Sequence, residues 1–263
     1  MDLNAPAWQD RARSAAAAWW DDFIAAAGFL TRLPVAGFAT AETGLLARSM
    51  RAFPVVGIVV GLAGWAAFAI AAALGLPATI GALLAVAVTV LTTGALHEDG
   101  LADTADGFGG GEDRAGKLAI MRDSRSGAYG VLALVFSVAL RAAALAVLTT
   151  PRAGAALVAA HAVSRAGLPI VMRWLEPARS DGLGASAGQP DDAAVGWCLG
   201  IGIVTALVCL GLSSGLVGLL VAAAGIAALA ALARRQIGGY TGDVLGAAQQ
   251  IGEIAMLLTA AAL

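Results

Sequence analysis

The chain has 263 residues, 59% of them hydrophobic and only 13% charged, with a formal net charge of −2 and a mean hydropathy of +0.82. Soluble domains carry about 45–50% apolar and about 25% charged residues, so this composition excludes an ordinary soluble globule and describes a polytopic membrane protein. No basic tract points to nucleic acid. The two cysteines, Cys198 and Cys209, share one apolar stretch and offer neither a disulfide framework nor a zinc site.

In chain order, residues 15–31 are apolar but too short for a span and are interrupted by Asp21 and Asp22. An interfacial or re-entrant helix is expected there. Trp19-Trp20-Asp21-Asp22 stands where a cleavable signal needs small residues, so this is not a secretory leader. Apolar windows of roughly 18–22 residues follow at 53–74, 78–97, 128–149, 153–174, 195–212, 214–233 and 244–263, predicting about seven transmembrane helices. The 34 glycines suit helices packed through small residues. No repeat, low-complexity tail or second domain is visible. The expected fold is therefore all-α: one polytopic membrane helical bundle over residues 1–263.

Basic residues predict the orientation. Arg48 and Arg51 precede the first span; Arg114, Lys117, Arg122 and Arg125 follow the second; Arg173 and Arg179 follow the fourth, and Arg234 and Arg235 the sixth. The opposite connections contain only Arg152. By the positive-inside rule the polar loops and the N-terminus face the cytoplasm and the C-terminus faces out, with Trp174 and Trp197 near span ends.

Four polar islands fall on the predicted cytoplasmic side. The first, residues 31–53, offers Arg32, Arg48 and Arg51. The second, 97–127, holds seven of the 18 acidic residues: Glu98, Asp99, Asp103, Asp106, Glu112, Asp113 and Asp123. Asp99, Asp103 and Asp106 are spaced i, i+4, i+7, so a helix projects them from one face. Carboxylates held that close repel one another and share protons unless a cation sits among them. Hard oxygen ligands suit Mg²⁺ or Mn²⁺, which in turn suit a phosphate-bearing substrate. A solvated acidic loop is the plainer alternative.

Gly100 and Gly107 each follow an aspartate and read either as turns or as places where substrate or metal comes close. Arg122-Asp123-Ser124-Arg125-Ser126-Gly127 stands just before a helix, whose free N–H groups and neighbouring arginines suit phosphate. An ordinary N-cap with snorkelling arginines is the other reading. The third island, 173–192, holds Arg179, Asp181 and a glycine-rich SDGLGAS stretch. The fourth, 234–247, carries Asp243 at a helix start, either as an N-cap or as a further metal-binding or nucleophile-orienting carboxylate. Polar residues inside spans need partners or water. His161 and Arg165, one turn apart, are expected to line a polar substrate cavity, while Arg141 or Arg165 can pair with Glu253. His97 reads as a positioning or interfacial residue.

GFLTRLPV at 28–35, RSMRAFPVVGIVVG at 48–61, HEDGLADTADGFGGGEDR at 97–114, KLAIMRDSRSGAYGVLAL at 117–134 and GGYTGDVLGAAQQIGE at 238–253 resemble the cobalamin synthase family (adenosylcobinamide-GDP ribazoletransferase). The resemblance covers nearly the whole chain and implies an enzyme of the bacterial cytoplasmic membrane, its site facing the cytoplasm. Its substrates would be adenosylcobinamide-GDP and α-ribazole or the 5′-phosphate. A ribose hydroxyl would attack the phosphorus nearest cobinamide and GMP would leave, giving adenosylcobalamin or its 5′-phosphate.

On this pattern Asp99, Asp103 and Asp106 hold Mg²⁺ against the diphosphate. Arg122 and Arg125 clamp phosphate, with Arg51 and Arg32 as further substrate-binding cations beside His161 and Arg165. Asp106, Asp123 or Asp243 is the catalytic carboxylate. Glu98 stands where the resemblance implies variation, which argues against an essential role. Further expected partners are the bilayer, a second copy of the chain, or other corrinoid-assembly enzymes. Competing readings are a Mg²⁺-dependent membrane prenyltransferase or CDP-alcohol phosphotransferase acting on a diphosphate, and a cation transporter. The first lacks a second aspartate-rich helix, the second lacks its further spaced aspartates, and the third expects its charges at the midplane.

Overall fold

The structure, a computed structural model, describes residues 7–35 and 44–263. Part of the first polar island, residues 36–43, lies outside the described residues, as do residues 1–6. Helices α1 (Ala7–Leu30), α2 (Leu45–Ser49), α3 (Phe53–Ala73), α4 (Ala78–Thr93), α5 (Leu96–Gly110) and α6 (Arg114–Ile120) form the first half. Helices α7 (Ala128–Ala146), α8 (Thr150–Ala166), α9 (Leu168–Trp174), α10 (Leu183–Ser186), α11 (Asp192–Ile237) and α12 (Gly242–Ala262) form the second. The described residues contain no strand, only an isolated bridge between Pro177 and Tyr240.

Five helical stretches are long and apolar enough to cross a membrane: Leu45–Ala73, Ala128–Ala146, Thr150–Trp174, Asp192–Ile237 and Gly242–Ala262. A sixth crossing results if α4 and α5, bent by 91°, count as one broken span. The 24-residue α1, which carries Asp21 and Asp22, is not among them.

Seven predicted windows thus meet fewer long helices, for two physical reasons. The 78–97 window is broken where Gly94 (φ 65°) and Ala95 (φ 58°) take left-handed conformations in succession and turn the chain into α5. Such a conformation is uncommon for a residue with a Cβ, and Ala95 is its one non-glycine instance among the described residues. The 195–212 and 214–233 windows share α11, whose 46 residues would stretch to about 69 Å if straight. They do not run straight: Gly211 (φ 76°, ψ 174°) is non-helical. A Cβ on Gly215 would lie 3.0 Å from the Ala206 carbonyl oxygen. On a continuous helix those residues would be roughly 13 Å apart, so the chain doubles back at Gly211.

Lipid tails are as apolar as leucine, so membrane helices gain by close packing rather than by escape from water. Gly57 and Gly61 of α3 lie against the His161 and Leu157 carbonyls of α8 with no room for a Cβ. Two apolar clusters result. One gathers Leu30, Met50, Phe53, Met172, Ile237 and Val244 near the polar loops; the other gathers Phe68, Val86, Leu145, Leu157 and Met256. Along α8 and α12 a band of polar side chains separates them, with His161, Ser164 and Arg165 on α8 and Gln249, Gln250 and Glu253 on α12.

Candidate active site

The left-handed pair Gly94-Ala95 starts α5 with Glu98 and Asp99 in its first turn. The backbone of α5 then crosses the start of α12 at close range. A Cβ on Gly100 would lie 2.7 Å from the Asp243 carbonyl oxygen, and one on Gly246 would lie 3.1 Å from the His97 carbonyl oxygen. The close approach that Gly100 permits is therefore by a helix, not by substrate or metal. Its effect is functional all the same, since it brings Asp99 and Asp243, 144 positions apart, to one cavity.

That cavity, of about 320 Å³, opens among the ends of α1, α3, α5, α9 and α12 and the loop after α9. Phe29, Met50, Phe53, Leu96 and Met172 supply an apolar wall, and His97, Asp99, Arg179 and Asp243 supply the polar groups. The Phe29 and Phe53 rings stack with centroids 6.1 Å apart and planes 15° from parallel. Asp243 is not the cap of its helix, because Thr241 Oγ1 accepts the Val244 N–H. The Thr241 hydroxyl also donates to Asp243 Oδ2 at 3.0 Å, and Arg179 Nη2 lies 3.4 Å from the same oxygen. Asp103, half-buried one turn after Asp99, is exposed to the negative charges of Asp99, Asp243 and Asp106, with Arg179 as the opposing charge.

Asp106 has a different task. It is buried, and its two oxygens accept the Gly127 and Gly130 N–H groups at 2.7 and 2.8 Å. Gly127 is the N-cap of α7 and has no side chain to fill that role, so a carboxylate from α5 caps α7 in its place. The helix start expected to bind phosphate is thus already occupied by Asp106. Of the expected trio, only Asp99 lines the cavity. Among the described residues no group of three or more His, Cys, Asp or Glu side chains is arranged to hold a metal ion.

The expected phosphate clamps are engaged elsewhere. Arg122 Nη2 donates to both Asp181 oxygens at 2.7 and 2.8 Å, and this hydrogen bond holds the Asp181 carboxyl below its usual range. Arg125 binds Asp123, whose carboxyl is pulled down to about 2 by the guanidinium hydrogen bond. Arg51 and Arg48 both reach the buried Asp22, and Arg51 also stands 4.1 Å over the Trp19 ring. Arg32 is exposed, packs over Gly94, and is tied through its own N–H to the Thr92 carbonyl at 2.8 Å. None of these side chains lines the cavity.

His161 and Arg165 do not line it either; they belong to the closed polar band. Arg165 Nη1 lies 3.0 Å from His161 Nδ1, which must accept in that contact because a guanidinium cannot. His161 Nδ1 is 3.3 Å from Glu253. Arg141 reaches Glu98 at 3.0 Å and Glu253 at 3.2 Å. Glu98, set aside on sequence grounds, is buried and also accepts from Gln250 at 3.1 Å.

Arg179 is the site residue that the sequence left among several loop cations. Its loop is fastened to the segment before α12: the Ala178 N–H donates to the Tyr240 carbonyl at 2.7 Å and the Tyr240 N–H to the Glu176 carbonyl at 3.0 Å. Arg114 Nη2 donates to the Ala178 carbonyl at 2.9 Å, and the Tyr240 hydroxyl, its pKa pushed up by burial, donates to the Gly184 carbonyl at 3.3 Å. The only sequence signal was that Arg179 lies in a polar island beside glycines.

A family model described as cobalamin-5-phosphate synthase matches residues 22–261. Similar proteins, each named adenosylcobinamide-GDP ribazoletransferase, include one from Bradyrhizobium diazoefficiens, 52% identical over 242 residues (92% of this chain and 93% of the relative). Another, from Azorhizobium caulinodans, is 49% identical over 249 residues (90% and 94%), and one from Rhizobium meliloti is 45% identical over 250 residues (90% and 95%). No solved structure matches the chain. The matched region takes in every residue of the cavity and of the polar band, and the chain belongs to the cobalamin-5-phosphate synthase family of transferases.

Proposed function

We propose that this protein joins adenosylcobinamide-GDP to α-ribazole, or to its 5′-phosphate, with release of GMP, using Mg²⁺ at the cytoplasmic face of the bacterial inner membrane. The substrates are those in the names of its relatives. The observation that carries the reading to this chain is the meeting of Asp99, Asp243 and Arg179 in one cavity with an apolar wall.

The donor set fits a hard divalent cation. Mg²⁺ keeps several waters and takes only one or two protein carboxylates together with substrate phosphates, so it does not need three convergent side chains. Asp99 is the residue that would hold it, with Asp103 and Asp243 adding negative charge nearby. Bound there, the cation would neutralise charge on the diphosphate oxygens. Asp106, which caps α7, is not part of this set.

Asp243 is oriented by the Thr241 hydroxyl and is the carboxylate proposed to accept the proton of the attacking ribose hydroxyl. The hydroxyl oxygen bonds to the phosphorus nearest cobinamide, the bond from that phosphorus to the bridging oxygen breaks, and GMP departs with the bridging oxygen. The stacked Phe29 and Phe53 offer a flat apolar face for the heterocyclic base of α-ribazole. The cavity is too small for a corrin ring, which would remain at its mouth.

The test uses the full-length protein in proteoliposomes with adenosylcobinamide-GDP, α-ribazole and Mg²⁺, following GMP and the completed corrinoid together. Equal release of the two, abolished by chelation and restored by added Mg²⁺, is expected. Absence of completed corrinoid would overturn the reaction, and unchanged turnover after chelation would overturn the metal.

A further inference from the structure

Arg141, Arg165 and Arg179 each keep a buried guanidinium nitrogen without a hydrogen-bond partner among the described residues, and of the three only Arg179 lines the cavity. The Arg179 side chain is only 16% exposed, and its Nη1 is fully buried without a hydrogen-bond partner among the described residues. Among the described residues its one ion pair, to Asp243, is long at 3.4 Å, where a good charge-assisted contact falls near 2.7–2.9 Å. Leaving a buried charged donor unsatisfied is costly. The loop bonds at Ala178 and Tyr240 keep it in place nonetheless. Other basic residues of the polar end have closer partners: Arg122 with Asp181, Arg125 with Asp123 and Arg51 with Asp22. Among the described residues Arg179 is the only Arg or Lys lining the cavity.

We infer that Arg179 is the diphosphate-recognition residue of this site, and that the diphosphate takes its guanidinium in exchange for Asp243. This rests on the ribazoletransferase reading and adds a binding residue and an order of events to it. Two phosphate oxygens satisfy the fork that Asp243 fills only partly, including the orphaned Nη1. Asp243 then loses its cationic partner and is left to the Thr241 hydroxyl, ready to take a proton. Proton transfer from the ribose hydroxyl therefore waits on the diphosphate, because the carboxylate is released only by its arrival.

The test measures binding of inorganic pyrophosphate, without divalent metal, to the full-length protein in nanodiscs, so no turnover is required. Arg179→Gln is expected to weaken binding about tenfold or more, with Arg179→Lys intermediate because it keeps the charge and loses the fork. Asp243→Asn is expected to tighten binding several-fold, and Asp103→Asn to do so less. The gain from Asp243→Asn should vanish in an Arg179→Gln background. In turnover, Arg179→Gln should raise KM for adenosylcobinamide-GDP and leave KM for α-ribazole unchanged.

Wild-type pyrophosphate affinity in a folded Arg179→Gln protein overturns the inference, as does a gain from Asp243→Asn that survives without Arg179. If Arg179→Gln does not fold, Arg179→Lys decides by the same measurement. Pyrophosphate binding through Arg179 in a protein that makes no corrinoid would sink the proposed reaction and leave this inference standing.

Discussion

Glu98 and Asp99 are neighbours on α5 and live in opposite surroundings, and Asp243 and Glu253 repeat the contrast along α12. Glu98 and Glu253 face a buried band in which two carboxylates meet two guanidinium groups, Arg141 and Arg165, with His161, Gln249 and Gln250 completing the contacts. Asp99 and Asp243 face an open cavity where, with Asp103 close by, three carboxylates meet one guanidinium. The same residue types thus form a charge-balanced closed network and a charge-unbalanced open one on the same two helices. Balance favours a structural role, since two carboxylates and two guanidinium groups offset one another in a closed band, even though Glu98 Oε2, Arg141 Nη2 and Arg165 Nε lack hydrogen-bond partners among the described residues. Imbalance leaves an attraction for a cation that the protein itself does not meet, and a phosphate is drawn only through that cation and Arg179.

The largest effect is expected from breaking the balanced side. Arg141→Met would leave Glu98 and Glu253 without their shared partner, and removing one member of a buried ion pair costs about 3–5 kcal/mol. Unfolding in mild detergent, followed by thermal melt or denaturant titration, should show the loss. Replacing both glutamates with glutamine in the Arg141→Met protein should recover part of it. A variant as stable as the parent would mean that the band does not hold α5, α7 and α12 together.

Next comes the unbalanced side. Asp99→Asn should lower turnover by about 10²–10³-fold, the scale of removing one electrostatic contributor from a phosphoryl-transfer site. The melting temperature should not fall, because the substitution relieves repulsion with Asp103 and, among the described residues, breaks no ion pair. A loss of stability with turnover per folded molecule intact would place Asp99 with the structural residues instead.

Much of this contrast was legible in the sequence. Hydropathy identified an all-helical membrane protein, and the i, i+4 spacing of Asp99 and Asp103 marked one face of α5. The Gly238–Asp243 segment was singled out as a second carboxylate source. What could not be read was partnership. Asp106 shares the periodicity of Asp99 and Asp103, yet the glycine at the start of α7 draws it away as a cap, a demand visible only once the two helices are side by side. Arg122 and Arg179 are alike in sequence, both loop arginines near glycines; an aspartate 59 positions downstream decides that Arg122 is paired. One window hid a local feature as well: nothing in 78–97 shows that Gly94 and Ala95 bend the chain by 91° into α5, whereas the windows on either side of Gly211 correspond to the two arms of α11.

A smaller effect separates Asp106 from its neighbours on α5. Asp106→Ala removes two short hydrogen bonds to the first turn of α7, and loss of an N-cap costs about 0.5–2 kcal/mol. The Mg²⁺ concentration for half-maximal turnover should stay as in the parent, whereas Asp99→Asn should raise it. A rise for Asp106→Ala, with stability unchanged, would return Asp106 to the metal site and remove the distinction between cap and ligand.

The smallest effect is expected at Arg122, and it bears on the comparison most directly. Its partner Asp181 is exposed, and exposed pairs contribute little, so Arg122→Gln should leave the melting temperature unchanged at neutral pH. Hydrogen bonding from Arg122 holds the Asp181 carboxyl below its usual range, so whatever the pair contributes is present above the ordinary carboxylate pKa and fades as pH falls through the lowered one. KM for adenosylcobinamide-GDP should stay within about twofold of the parent, since both Asp181 oxygens already hold Arg122 Nη2 at 2.7 and 2.8 Å and a phosphate taking the guanidinium bidentately would have to compete with them. A tenfold rise for Arg122→Gln, with none for Arg179→Gln, would show that an arginine paired at rest can be the working one and that an orphaned N–H is no guide to where the diphosphate binds.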